Sequence, residues 1–318
     1  MAVATTTTET NRQLRLPARS GRVMPGAARA LYLASLAAST DKTRPVLCDV
    51  LWEGGDQVTR AVGTDTYRLM VVEVERTRAG LKPPPARSWG LYAAAVRQAY
   101  RLQEWRHEGL GFGIERAGDD CTLIQRAGPE VHPGGPRGWA RQGVTTFPNW
   151  PNVVPDNDEQ VHWRATVRLG ELARLLRKMA STYCTRSSWG PRAIITPEPG
   201  AVAIWPSIAA RLDCSKRSWP VPWVGGEIEA LSQDVRQDQP IAVNAQLAAE
   251  PLWRAAEWLG AEQPVEIVVR GQLYQLTFTA RPEQHECREL LFIVMAMELG
   301  EIWAQQMGQK AMKLDGDG

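Results

Sequence analysis

The stretch RPVLCDVLWEGGDQVTRAVGTDTYRLMVVEVE, residues 44–75, carries the pattern that decides the fold. Residues 45–52 and 57–62 are short runs rich in apolar and β-branched side chains, which is typical of strands. The turn-forming sequence EGGD at 53–56 separates them and predicts a hairpin. Residues 67–75 pass from alternating to continuously apolar. The stretch therefore predicts three consecutive strands.

Helices and further strands flank this stretch. Upstream, residues 24–39 place apolar side chains at three- and four-residue spacing, which predicts a helix, and Pro25 suits its first turn. Downstream, a break at KPPP precedes a second predicted helix at 91–106. Strand-like segments at 110–116 and 120–126 lead into a loop rich in Gly and Pro, residues 129–138.

The second half of the chain repeats this order of elements. A helix is predicted at 167–182, strands at 193–197, 201–205 and 241–244, a second helix at 244–260, and strands at 265–270, 273–280 and 290–299. Each half is thus a helix, several strands, a helix and several strands. The pattern predicts two similar α+β domains in tandem.

The order of elements also predicts the domain boundaries. The N-terminal segment, with its run of threonines, is predicted to be a disordered tail, and the last segment a C-terminal tail. The predicted divisions are 1–19 for the first tail, 20–157 for domain 1, 158–299 for domain 2 and 300–318 for the second tail.

Composition excludes several classes of protein. The 318 residues carry a net charge of only +2, so a nucleic-acid-binding function requires the basic side chains to be segregated on one surface. The five cysteines are widely spread without a CxxC pair, and the four histidines form no HxxxH or HExxH pattern, so buried free thiols and no metal site are expected. No signal-peptide pattern begins the chain, which predicts a cytoplasmic protein, in a bacterium or in a phage host.

The chain also lacks the motifs of the common enzyme classes. There is no P-loop, GxSxG nucleophile elbow, HExxH motif or dinucleotide fingerprint. The run GLGFG at 109–113 is too short and lies among strands, and Asp119-Asp120 is typical of a turn. We therefore expect a protein that is not an enzyme and needs no cofactor.

Basic side chains concentrate on one predicted helix of each half. The helix at 91–106 carries three arginines against Glu104, and the helix at 167–182 carries four basic residues against Glu171. Each could be an ordinary solvated helix face. Two such helices in two similar domains favour a surface that binds phosphates without reading sequence.

Four segments, in order, resemble the bacterial β sliding clamp, the processivity subunit of the replicative DNA polymerase. Residues 44–53 with 61–72 (AVGTDTYRLMVV) are similar to the hairpin of the family's middle domain and its TDGHRLA-type strand. FPNWPNVVP at 147–155 is similar to the junction between the middle and last domains. IAVNAQL at 241–247 and FIVMAMEL at 292–299 are similar to the FNxxY helix entry and the terminal YVVMPMRL.

This resemblance covers roughly residues 20–299 and corresponds to the middle and last domains of a three-domain clamp. It implies tandem DNA-clamp domains, each with two helices facing the inside of a ring and sheets outside. It also implies a pocket between the domains for a linear motif of polymerases, clamp loaders and repair proteins. The implied pocket residues are Leu47, Thr64, Thr66, Tyr67, Arg68, Leu69, Pro148, Asn152, Val153, Trp189, Asn244, Leu247, Leu273, Ile293, Val294, Met295, Ala296, Met297, Glu298 and Leu299.

The resemblance places the basic helices and one loop against double-stranded DNA, bound without sequence specificity. The implied DNA-facing residues are Lys42, Arg44, Arg97, Arg101, Arg106, Arg174, Arg177 and Lys178. The chain departs from the family at the pocket: Thr66-Tyr67 replaces Gly-His, and Ala296 and Glu298 replace Pro and Arg. The residues after 299 are an extension with respect to many bacterial clamps.

Known clamps close a ring from six similar domains, so a two-domain chain implies a head-to-tail homotrimer. A short clamp of this kind is typical of a phage or mobile element. The expected partners are duplex DNA, a replicative polymerase, a clamp loader and further copies of the chain, and no membrane. Two alternatives remain open: a clamp-fold scaffold for transcription or repair proteins on DNA, and a decoy that binds clamp partners without encircling DNA.

Overall fold

The structure is a computed structural model, and part of the chain is described. The described residues are 21–22, 25–54, 57–75, 88–102, 110–117, 120–127, 138–142, 147–155, 161–182, 192–198, 200–206, 218–222, 224, 241–270 and 275–296. The predicted tails, and the boundary predicted between 157 and 158, lie outside them.

The first half begins with a strand and a helix and ends with a three-stranded meander. Its elements are β1 (Gly21–Arg22), α1 (Pro25–Ala37), a 3₁₀ turn (Pro45–Cys48), β2 (Asp49–Gly54), β3 (Val58–Thr64), β4 (Arg68–Glu75), β5 (Ser88–Tyr92), α2 (Ala93–Leu102), β6 (Leu110–Ala117), β7 (Asp120–Ala127) and β8 (Gly138–Gln142).

A connector with a 3₁₀ turn (Trp150–Val153) leads into the second half. The elements there are β9 (Val161–Arg168), α3 (Leu169–Thr182), β10 (Arg192–Glu198), β11 (Ala201–Trp205), β12 (Trp219–Pro222), β13 (Ile241–Asn244), α4 (Ala245–Leu259), β14 (Pro264–Arg270), β15 (Gln275–Ala280) and β16 (Cys287–Val294).

The two halves repeat the same ten helices and strands in the same order. In the first half the strands run β1-β6-β7-β8 and β5-β2-β3-β4, and in the second they run β9-β14-β15-β16 and β13-β10-β11-β12. Each four-strand set of one half thus has an equivalent in the same order in the other, but β8 also pairs with β5, whereas β16 pairs with β4 and not with β13. The predicted α+β class and the tandem repeat are confirmed.

One strand pair joins the halves, and we call it the seam. Strand β4 pairs antiparallel with β16, with Leu69 opposite Ile293 and Val72 opposite Leu290. The ladder merges the sheet of the first half with one sheet of the second into twelve strands. Apolar side chains line both faces of the seam, so neither β4 nor β16 is a solvated edge.

The main core lies between the sheets and the helices α1 to α4 of the described residues. Alternate residues of β4 and β16, among them Met70 and Phe292, point to this side together with the buried faces of α1, α3 and α4. The helices contact one another in the order α2, α1, α4, α3, and we call this arrangement the helix layer. Gly63 allows α1 to approach β3 closely: an added Cβ would lie 1.9 Å from the backbone oxygen of Ala34.

A second, smaller core lies on the opposite face of the seam. Leu51, Val62, Leu69, Val71 and Ile293 are buried there, beneath the partly buried side chains of the connector and Leu291. The connector residues that cover them are Phe147, Trp150 and Val154. Burial on both faces removes the polar alternation from the middle of these strands, which explains the continuous apolar run at 69–72.

Several predicted boundaries were wrong, and pairing explains them. The predicted helix at 91–106 begins at Ala93, because Leu91 and Tyr92 pair with β2. Strand β9 takes the first two residues of the helix predicted at 167–182. Residues 45–48 are a 3₁₀ turn that starts at a proline, and the strand predicted at 290–299 ends at Val294.

Candidate partner-binding seam and nucleic-acid interface

The TDTYR turn, residues 64–68, connects β3 to β4 at one end of the seam. The Asp65 carboxylate organises it by accepting hydrogen bonds from the backbone N–H of Tyr67 at 3.0 Å and of Arg68 at 3.1 Å. The Thr64 hydroxyl donates to the Arg68 carbonyl at 2.8 Å. Short polar side chains that bond the nearby backbone are the usual device for a tight turn.

Thr66 adopts a φ of 81°, in the left-handed region. A β-branched residue is strained there, by about 1–2 kcal/mol, whereas glycine is not. The resemblance to the clamp family places a glycine at this position, which would carry no such strain. The next residue, Tyr67, has a side chain 57% exposed at the end of the seam.

Three hydrogen-bonded links hold this turn to the second half and to itself. The Tyr67 carbonyl accepts from the Met295 N–H at 2.9 Å. The Arg68 guanidinium pairs with Asp65 through Nε at 2.9 Å and donates through Nη1 to the Leu247 carbonyl at 2.8 Å. Burial lowers the pKa of Arg68, and the adjacent Asp65 carboxylate opposes that shift. The turn, the start of α4 and the end of β16 therefore form one bonded unit.

Many of the predicted pocket residues meet at this unit. Asn244 caps α4, with its Oδ1 accepting from the Gln246 N–H at 3.0 Å, and Leu247 follows in the first turn. Val153 is 41% exposed on the connector. Thr64, Thr66, Tyr67, Arg68, Leu69, Asn244, Leu247 and Met295 belong to this unit, and Ile293 lies in the second core. Pro148, Asn152 and Val153 lie on the connector, whereas Ala296 packs against the main core.

Other predicted pocket residues lie elsewhere. Val294 faces the main core, on the opposite side of β16 from Ile293, and Leu47 is buried in the 3₁₀ turn before β2. Trp189, Leu273, Met297, Glu298 and Leu299 lie outside the described residues. Sequence reasoning missed the covered apolar row of Leu51, Val62 and Val71, although strand alternation could have found it.

The helix layer carries the predicted DNA-facing residues of α3 on its exposed surface. The buried residues of α3 leave one exposed stripe, which is Arg174, Arg177 and Lys178 with Ser181. The guanidinium of Arg177 lies 4.4 Å from the ring centre of Trp253 on α4, and the Lys178 ammonium lies 5.0 Å from that of Trp219. Aromatic faces attract such cations, which holds both charges in place.

The other predicted cations lie on α2 and in the loop before β2. Arg97 on α2 donates to the Ser35 carbonyl of α1. Lys42 and Arg44 are exposed in the loop before β2, and Arg44 lies 3.5 Å from Asp41. Arg101 belongs to α2, and Arg106 lies outside the described residues.

Helix α4 is not basic, as its sequence predicts. Arg254 bonds Glu250 through Nε and Glu257 through Nη1, both at 2.8 Å. Glu257 also accepts from the indole N–H of Trp253 at 2.8 Å. Burial lowers the pKa of Arg254, but its hydrogen bonds to the two glutamates outweigh that effect and raise it.

The described residues contain no cluster of His, Cys, Asp and Glu that could hold a metal ion. Within the same part of the chain, no helix is long and apolar enough to cross a membrane.

No protein-family model matches the chain, and no curated protein sequence is similar to it. Solved structures do match. The DNA polymerase III β chain of Streptococcus pneumoniae superposes with a TM-score of 0.64 at 14% identity, covering 93% of this chain and 69% of that one. The chain has the sliding-clamp fold.

Other sliding clamps agree with this assignment. The Bacillus subtilis clamp gives a TM-score of 0.64 at 14% identity, over 91% of this chain and 68% of its own. The β subunit from Thermotoga maritima gives 0.60 at 18% identity, over 90% and 68%. A Pseudomonas aeruginosa clamp with bound griselimycin gives 0.59 at 14% identity, over 88% and 65%. At these identities the likeness shows the clamp fold.

Proposed function

We propose that this chain is a DNA sliding clamp: a non-enzymatic protein that encircles duplex DNA and tethers a replicative polymerase and other replication proteins. The observation that supports it best is the helix layer of a clamp fold with an exposed stripe of Arg174, Arg177 and Lys178. Long cationic side chains on a regular helix bind phosphates without fixing a register, which sliding requires. Such a protein acts in the cytoplasm of a bacterium or of a phage host.

The assembly we propose is a ring of three copies, head to tail. The support is the tandem repeat, because three two-domain chains supply six domains. The seam is a template for the joint, since β4 and β16 show how one clamp domain extends its sheet into the next. By the repeat, the corresponding strands at a joint between copies are β12 and β8.

Those two strands also favour a second candidate, a clamp-fold scaffold that does not encircle DNA. Only Trp219 and Val221 of β12 have an N–H for the ladder with β11, so Pro220 and Pro222 turn toward its other edge, where they donate nothing. Strand β8 is paired on both sides, with β7 and with β5. A joint like the seam requires two unpaired strand edges that carry N–H donors. The outer edge of β12 has no such donors, and β8 has no unpaired edge.

Mass and DNA topology together decide between the two candidates. A ring predicts a mass of three chains in solution and, after loading, retention on circular DNA with release from linear DNA. A scaffold predicts a smaller mass and equal, salt-sensitive retention on both. A stable monomer or dimer at micromolar concentration would rule out the trimer, and equal retention would rule out topological linkage.

The partner site we propose is the group of residues around the TDTYR turn, the connector and the end of β16. Their mixture of exposed Tyr67, exposed Val153 and half-buried Met295 suits a site that accepts several peptides of apolar character. The altered residues Thr66, Tyr67, Ala296 and Glu298 imply a peptide preference different from that of common bacterial clamps.

Replacing Met295 and Met297 by Ala should weaken binding of a polymerase-derived clamp peptide, and of griselimycin, by about tenfold. The assembly should keep its mass. Binding is measured by calorimetry, with Arg288→Ala on the exposed side of β16 as the control. Unchanged binding in the double variant would show that the site lies elsewhere.

A further inference from the structure

Helix α4 contains a proline in its interior. Pro251 is buried at the seventh position of Ala245–Leu259. A proline has no N–H to donate to the carbonyl four residues before it, so the helical partner of the Leu247 carbonyl is missing. That carbonyl belongs to the first turn of α4, beside the proposed partner site.

The missing donor is replaced from the other half of the protein. Arg68, the first residue of β4, donates from Nη1 to the Leu247 carbonyl at 2.8 Å, across 179 positions of sequence. Its Nε is held by Asp65 at 2.9 Å, and both side chains are only 13% exposed. The carbonyl that Pro251 leaves open is therefore the one that Arg68 uses.

We propose that Pro251, Arg68 and Asp65 form a latch that fixes the start of α4 against the TDTYR turn. Arg68 acts as a positioning residue: it holds the Leu247 side chain and Asn244 in place relative to Tyr67, and thereby sets the width of the partner site. It does so through its planar, two-sided donor arrangement, which lysine lacks. The guanidinium of Arg68 is already bonded to Asp65 and to the Leu247 carbonyl. We therefore do not expect it to bind a carboxylate of the partner.

A stability cycle tests the latch without any partner. Arg68→Met leaves the Leu247 carbonyl without a donor and should lower the melting temperature by about 2–4 °C or more. Pro251→Ala restores an N–H at that position. In the Arg68→Met background this N–H is the only donor to the Leu247 carbonyl. In the parent chain Arg68 already donates to that carbonyl.

The cycle therefore predicts that Pro251→Ala raises the equilibrium constant for folding by a factor at least about five times larger in the Arg68→Met background than in the parent. The change in helix propensity is the same in both backgrounds and cancels. If the two substitutions are additive, Pro251 and Arg68 do not share the carbonyl and the latch is wrong.

A binding experiment tests the positioning role, which rests on the proposed function. Arg68→Met and Arg68→Lys should both weaken griselimycin or the polymerase peptide by about tenfold, because both lose the geometry. If Arg68→Lys binds as the parent does, the charge itself contacts the partner and the positioning role falls. If the parent binds neither probe, the proposed partner site falls, while the stability cycle still decides the latch.

Discussion

At the scale of single residues, a few positions decide how closely neighbouring elements can pack. Gly63 is one of them, because α1 lies so close to β3 that no Cβ fits beneath the Ala34 carbonyl. Pro251 is another, because the N–H that it lacks leaves a carbonyl for Arg68. Both residues break a simple rule for their element, glycine in a strand and proline in a helix, and in both a contact with another element accounts for it.

Gly63→Ala should destabilise the protein by about 1–3 kcal/mol, because the added methyl group forces α1 away from the sheet. Urea unfolding measures the change. Gly200→Ala is the matched control: it has open space but a φ of 77°, so only the cost of that backbone conformation, about 1 kcal/mol, applies. No loss in Gly63→Ala would mean that the contact with Ala34 relaxes without cost.

At the scale of elements, the packing of α3 against α4 positions the exposed basic stripe of α3, which is Arg174, Arg177 and Lys178. Trp253 lies under the guanidinium of Arg177 and is itself anchored to Glu257. Arg254 bonds the same glutamate, so both acids of this face are occupied within α4. An acidic helix can thus lie beside a basic one with both of its carboxylates bonded within α4.

Trp253→Leu should weaken the affinity for duplex DNA by about two- to fivefold at low salt, because Arg177 loses its aromatic support. The slope of affinity against salt should stay the same, since no cation is removed. Fluorescence anisotropy measures both quantities.

Two variants make this prediction specific. Trp205→Leu removes a half-buried, hydrogen-bonded indole on β11 and should leave DNA affinity unchanged. In an Arg177→Ala background, Trp253→Leu should have no further effect. A loss of affinity that persists there would assign Trp253 a structural role independent of the arginine.

At the scale of the whole molecule, the seam makes two repeated domains into one sheet. Cys287 starts β16, pairs with Val74 at the far end of the seam from the TDTYR turn, and is fully buried. Burial raises the pKa of its thiol from the ordinary 9.0 to about 12. The thiol is therefore neutral in the folded protein at pH values where an unfolded chain ionises it.

This difference predicts a loss of stability at alkaline pH. Between about pH 9 and 12 the folded state binds more protons than the unfolded state, so the free energy of unfolding falls as pH rises, by at most about 4 kcal/mol. Cys287→Val should flatten that part of the pH profile, whereas Cys48→Val should leave most of it. Identical profiles for the parent and Cys287→Val would show that another group causes the loss.

Much of the architecture could be predicted from the sequence, because the signals that encode it are periodic or act over a few residues. The hairpin, the tandem repeat and the basic stripe of α3 are encoded in alternation, helical spacing and turn residues. Strands β5 and β9 were missed, because Leu91 and Val167 fit a helix pattern equally well and only pairing with β2 and β14 decides their state.

What the sequence determined by itself is the order and kind of most elements and the basic face of α3. The tertiary structure alone decided which strands form the seam, that Val294 faces inward while Ile293 faces the connector, and that Arg68 reaches Leu247. The physical reason is distance along the chain: period and propensity act over a few residues, whereas these contacts join residues from opposite halves. The pattern of residues 44–75 thus predicts strands. The pairing of β4 with β16 is decided only when both halves of the chain fold together.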